Sequence, residues 1–116
     1  MTDAVGLPVR LRLAREQAGL SQTQVAKMLG VHRPTISEIE AGRRRVQTEE
    51  LTHFARIYDV TMNWLLDESG KTDSLQEAKV QLAARELAKL KQTDLDRVLN
   101  LLSSLKSPRA KKGTSG

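Results

Sequence analysis

The chain has no cysteine, which excludes disulfide frameworks, thiolate zinc sites and thiol nucleophiles. It has one Phe, one Trp and one Tyr, too few for a platform that stacks single-stranded bases on several exposed rings. No apolar run approaches the roughly 20 residues of a bilayer-spanning helix. No charged leader followed by an apolar stretch opens the chain, so a soluble cytoplasmic protein is expected. His32 and His53 are the only histidines, and neither stands in a metal-ligating spacing such as HExxH. Each Ser or Thr near an acid is accounted for as a helix cap. No catalytic residue, metal or cofactor is expected, and the chain is not read as an enzyme.

What is present is basic. The 116 residues carry a net charge of +5 and are 39% hydrophobic, which supports one small domain with an appended hairpin or tail. Such a balance favours an anionic partner, nucleic acid or a membrane surface. The charge is uneven, however. Residues 1–67 hold nine Lys/Arg against eight Asp/Glu, whereas residues 68–116 hold ten against six, with four of those cations in residues 106–116.

Helical spacing runs through the whole chain, with no strand signal and no internal repeat. Leu7, Leu11, Ala14 and Ala18 lie on one helical face, Pro8 suits the first turn, and Gly19 is a left-handed stop. Ser21 and Gln24 have the spacing of a capping box, and the helix they open ends at Gly30. A third helix is predicted from about Arg33 to Ala41, with Ile36 and Ile39 inward and Pro34 tolerated at its second position. Thr48 opens a fourth helix, buried along Leu51, Phe54, Ala55 and Tyr58, and Thr61 caps a short fifth with Met62, Trp64 and Leu65. Residues 68–74 lack apolar side chains and read as a linker. An αα-hairpin is expected over residues 75–105, its first helix carrying Val80, Ala83, Leu87 and Leu90 on one face, flanked by Ala84 and Leu82. Thr93 and Asp96 suggest the cap of its second helix, which carries Leu95, Val98, Leu99, Leu102 and Leu105. Residues 106–116 form a basic tail without a core.

The second and third helices carry the functional signal. Ala26 is small where two helices cross, Gly30 sits at the sharp turn, and Val25, Leu29, Val31, Ile36 and Ile39 are apolar where the pair must pack. These coupled positions describe a DNA-binding helix-turn-helix. The segments GLSQTQVAKMLGV (residues 19–31) and PTISEIEAG (residues 34–42) resemble the Cro and lambda-repressor-like, or xenobiotic-response-element, family. YDVTMNWLL (residues 58–66) looks like that family's last helix. The resemblance covers about residues 7–67 and implies an all-α, five-helix domain that binds operator DNA as a dimer. The run RPTISEIEAGRR (residues 33–44) also resembles regulators encoded beside zinc metallopeptidases in mobile elements.

In such a domain the third helix enters the major groove with its N-terminal residues at base edges. Arg33 is the best reader, because its fork matches guanine O6 and N7; one such contact contributes about 1–3 kcal/mol of discrimination. Thr35 meets a thymine methyl or a phosphate. Glu38 either accepts from cytosine N4 or faces solvent as a bystander, and Ser37 packs or touches a phosphate. Arg43, Arg44 and Arg45 follow the helix and fall beside the phosphate backbone, where they position without reading sequence. Gln22 resembles the family's phosphate-binding glutamine, and Thr23 and Pro34 complete the expected contact set. Arg15 and Glu40 match a family ion pair and so belong to the scaffold. His32 stands where Ser, Thr or Asn usually caps the third helix, leaving a phosphate contact as its other role, and Ala41 replaces the common Asn before Gly42.

The leucine face of the hairpin is too apolar to stay in water. Leu87, Leu90, Leu95, Val98, Leu99, Leu102 and Leu105 are the expected dimerisation residues of a repressor on a palindromic operator. The same face suits a partner protein, a cognate toxin or a metallopeptidase, in an antitoxin or protease-controlled regulator.

Overall fold

The computed structural model describes residues 6–67 and 74–106. The tail beyond Lys106 and all but the last residue of the expected linker lie outside the described residues. Within them every regular element is an α-helix: α1 (Leu7–Gln17), α2 (Gln22–Leu29), α3 (Arg33–Glu40), α4 (Thr48–Tyr58), α5 (Met62–Leu66), α6 (Leu75–Ala88) and α7 (Gln92–Leu105).

The expected stops and starts have the expected chemistry. Ser21 Oγ accepts from the Gln24 N–H at 3.0 Å while Gln24 Oε1 accepts from the Ser21 N–H at 2.8 Å, so two orphan donors of α2 are satisfied reciprocally. Thr61 Oγ1 accepts from the Trp64 N–H and caps α5. Four helices end alike. Gly19, Gly30, Gly42 and Asp59 all have positive φ. In each case the next N–H reaches back to a carbonyl five residues earlier: Leu20 to Arg15, Val31 to Ala26, Arg43 to Glu38 and Val60 to Ala55. This turn satisfies the last orphan carbonyls and reverses the chain sharply.

The chain forms two compact units, one ending at Leu82 and the other beginning at Ala83. In the first, α1 packs against α3, α4 and α5, and α2 crosses α3. Leu11, Ala14, Val25, Ala26, Ile36, Ile39, Leu51, Phe54, Tyr58, Trp64 and Leu65 are buried together. Ala26 is 3% exposed, as its place at the crossing requires.

In the C-terminal helices the core takes a side of α6 other than the shared apolar face, and the expected cap of α7 needs correction. The buried residues of α6 are Ala78 and Leu82, whereas Val80 is 58% exposed and Ala83 and Ala84 are exposed. The buried side of α6 therefore lies nearly opposite Val80, and Ala78 and Leu82 join the core of the first unit. The N-cap of α7 is Lys91, without a side-chain cap, so Thr93 lies inside the first turn. No residue of α7 is buried. Leu99, Leu101, Leu102 and Leu105 are exposed, while Leu87, Leu95 and Val98 are half-buried.

Candidate nucleic-acid interface

The outer face of α3 follows from its inner one. Ile36 and Ile39 are buried, so helical periodicity turns Pro34, Ser37 and Glu38 away from the core. Arg33 is exposed at the first helical position and Pro34 at the second, where a missing N–H costs no intrahelical bond. His32 is the N-cap, with no side-chain cap bond, and is exposed. Ser37 and Glu38 are half-buried. Thr35 is half-buried as well and lines an apolar cleft with Val31, Ile36, His53 and Phe54. Thr23 is exposed in the first turn of α2.

The angle of α3 is held by a buried polar hub. Arg15 Nε and Nη2 donate to the two carboxylate oxygens of Glu40 at 2.7 and 3.0 Å, a two-pronged pair with the Glu40 side chain 5% exposed. Arg15 Nη1 donates to the Leu20 carbonyl at 2.8 Å, tying α1 to the turn that follows it. That hydrogen bond to Glu40 is the main reason the Arg15 pKa lies above its ordinary value, with burial opposing it. Gln22 Nε2 donates to Glu40 Oε1 at 3.0 Å. One carboxylate thus joins α1, α2 and α3. Tyr58 adds its phenol near this charge, and burial, with Glu40 second, raises its pKa well above the ordinary value.

A second buried cation fixes α1 to α5. Arg10 is fully buried; its Nη1 donates to the Trp64 carbonyl at 2.6 Å, its guanidinium lies 4.9 Å from the Trp64 ring centroid, and Asp67 stands 3.6 Å away. Burial lowers its pKa and Asp67 counters the effect. Reasoning by residue type passes over Arg10. The signal was there, since position 10 falls on the face of Leu7, Leu11 and Ala14.

The loop after α3 carries the three arginines, all exposed. Arg43, Arg44 and Arg45 line a shallow depression with Leu7, Pro8, Gly42 and Val46, so the loop borders the start of α1. Two of them meet acids. Arg43 Nε donates to Glu38 Oε1 at 3.1 Å, and Arg44 Nη2 is 3.7 Å from Glu50 Oε2. Sequence reading missed both pairs and the Gln22–Glu40 bond. The first pair was inferable from the turn at Gly42, which brings Arg43 back over Glu38.

The seven residues expected at a dimer contact divide. Leu87, Leu95 and Val98 are half-buried, and Leu90, Leu99, Leu102 and Leu105 are exposed, the last at 69%. Leu101 is exposed with them and was not among those expected. Among the described residues no helix is long and apolar enough to cross a membrane, and no cluster of His, Cys, Asp and Glu has metal-binding form.

The helix-turn-helix family profile matches residues 11–65, the span from the middle of α1 to α5. An uncharacterized HTH-type transcriptional regulator of Bacillus subtilis (strain 168), YqaE, is 34% identical over 70 residues, covering 60% of this chain and 60% of that protein. The ImmF control region 10 kDa protein of Bacillus phage phi105 is 34% identical over 65 residues, covering 56% of this chain and 72% of the phage protein. The chain therefore spans less than two thirds of the Bacillus subtilis protein's length.

Proposed function

The chain belongs to the helix-turn-helix family of Cro and lambda-repressor-like transcriptional regulators, and from that premise we propose that it is a cytoplasmic repressor binding a palindromic operator as a homodimer. Its DNA-binding regulator character follows from the family. The repressor role, the operator symmetry and the dimer are our reading. The observation that carries it is the outward face of α3, held at a fixed angle by the Arg15–Glu40–Gln22 hub and followed at once by three arginines.

In this reading α3 lies in the major groove. Arg33 reads a guanine, Thr35 and Ser37 reach a base methyl or phosphate, and Pro34 and His32 pack on the groove edge. Arg43, Arg44 and Arg45 line the backbone, with Gln22 and Thr23 at the start of α2. Gln22 presents at most one amide N–H to a phosphate, because Glu40 takes the other. The exposed leucines of α7, with Leu87 and Leu90 of the preceding turn, are covered by a second copy. Two-fold symmetry then puts the half-sites about 34 Å apart, one turn of duplex.

Nuclease protection of the DNA flanking the gene tests operator binding, and a symmetric footprint is expected. Arg33→Ala should relax base preference at one position, whereas Arg43→Ala should weaken all sequences alike. The opposite pattern refutes these roles. Sedimentation of Leu102→Lys against the parent chain tests the dimer; an unchanged oligomeric state removes α7 from it. The exposure of that same leucine face also favours a second reading, an antitoxin or protease-controlled regulator in which a toxin or metallopeptidase seats there. Cleavage within residues 68–105 on co-expression with the neighbouring gene would distinguish it.

A further inference from the structure

We propose that Glu38 and Glu50 are built-in counter-charges that hold down the affinity of this interface for DNA backbone, competing with phosphate for Arg43 and Arg44. The proposal rests on the DNA-binding reading and assigns to both acids a role opposite in sign to base recognition.

The pairing of Glu38 with Arg43 is imposed by the backbone. Gly42, at φ 80°, closes the end of α3 so that the Arg43 N–H meets the Glu38 carbonyl at 2.9 Å. That places the two side chains next to each other, and Arg43 Nε reaches Glu38 Oε1 at 3.1 Å. The second acid approaches from the other side of the loop. Glu50 Oε1 accepts the Gln47 N–H at 2.9 Å, which fixes the carboxylate at the start of α4 and leaves Oε2 toward Arg44, 3.7 Å away. The arginine loop is thus flanked by one fixed carboxylate from α3 and one from α4. Arg45 forms none of the ion pairs among the described residues.

A phosphate oxygen that binds Arg43 or Arg44 must displace or share a carboxylate already there. The attraction gained is the difference between two anions, not the full attraction of a free cation. Both pairs are half-exposed, so each holds its arginine only modestly, by analogy with surface ion pairs. The effect is sequence-independent, because phosphate contacts carry no base information. It limits the time spent on the vast excess of non-operator DNA.

Binding of a fluorescent duplex of arbitrary sequence, at low and at near-physiological salt, tests this with Glu38→Gln, Glu50→Gln and their combinations with Arg43→Ala and Arg44→Ala. Gln at position 50 keeps the acceptor that caps α4 while losing the charge, so the fold is retained. Each Glu→Gln change should tighten binding about two- to fivefold at low salt, with less gain as salt rises. The gain from Glu38→Gln should vanish when Arg43 is Ala, and that from Glu50→Gln when Arg44 is Ala. A gain that survives loss of the arginine is a general charge effect and overturns the proposal, as does unchanged or weaker binding. Weaker binding by Glu38→Gln confined to an operator sequence would make Glu38 a base reader instead. If the parent chain binds no duplex at low salt, the DNA-binding reading itself fails.

Discussion

Replacing Leu82 by Ala should unfold the DNA-binding unit more readily, although Leu82 lies 17 residues beyond the family match. The side chain is 4% exposed and shares a core with Leu11, Phe54 and Trp64. Burying a leucine fully contributes about 1.5–3 kcal/mol, and truncation to Ala in a packed core costs about 2–5 kcal/mol once the residual cavity is counted. The loss here has a ceiling. Ala78 and Leu82 are the only buried residues of α6, so a chain that cannot keep α6 docked loses little more than that docking. The expected cost is therefore at the low end, about 2–3 kcal/mol, or a fall in melting temperature of roughly 8–24 °C. Val80→Ala, on the same helix but 58% exposed, should shift stability by no more than about 0.5 kcal/mol. Urea denaturation gives both values, and hydrogen exchange should show the first turns of α6 opening early in Leu82→Ala. If the two substitutions cost the same, α6 does not complete this core, and the unit ends with α5.

Three further outcomes follow from the hub and the turns. Glu40→Ala leaves the Arg15 guanidinium without its buried partner and should cost about 3–5 kcal/mol, measured by urea denaturation. Gly30→Ala meets no atom within 4 Å but places a Cβ on a residue at φ 73°; the cost should be the backbone penalty alone, about 1–2 kcal/mol, read from the thermal midpoint. The Tyr58 phenol, raised above its ordinary pKa of 10.0 by burial, gives the folded state stability that is fully present below pH 10 and lost as pH rises above it. Because Tyr58 is the sole tyrosine, its ultraviolet titration should coincide with loss of helical signal; phenolate forming in an intact fold would contradict its burial.

Most of the first five helices could be read from sequence because their boundaries are local. Ser21 with Gln24, and the glycines at 19, 30 and 42, each act within one turn of the residues they terminate. The inner face of α6 was harder to place. Leu75, Ala78, Val80, Leu82, Ala83, Ala84, Leu87 and Ala88 put apolar groups nearly all round that helix, so spacing alone selects no face. Contact with the core selects Ala78 and Leu82. Arg10 was hidden for a different reason. A buried guanidinium is tolerable only with partners, and these come from Trp64 and Asp67, more than fifty residues away. For the interface, sequence identified the outward residues of α3 and the loop arginines but not the bonds that restrain them. Gln22–Glu40 links α2 to α3 and Arg44–Glu50 links the arginine loop to α4, and only packing brings these partners together.

The nearly balanced charge of residues 1–67 bears on how such an interface selects DNA. Five of their nine cations stand in ion pairs: Arg10 with Asp67, Arg12 with Glu16, Arg15 with Glu40, Arg43 with Glu38 and Arg44 with Glu50. Among the described residues Lys27, Arg33, Arg45 and Arg56 form none of these pairs. Arg33 is the exposed cation at the first position of α3, the end expected to meet base edges. A guanidinium already engaged by a carboxylate would have to break that pair before its fork could take guanine O6 and N7, and the cost would come off the discrimination it provides. Arg33, outside these ion pairs, would be spared that cost, while Arg43 and Arg44, proposed to face the DNA backbone, would not. In the proposed interface, affinity from phosphate contacts would thereby be damped and the contribution from base contacts kept whole. Such a partition, more than net charge, would favour operator over non-operator DNA in the proposed interface.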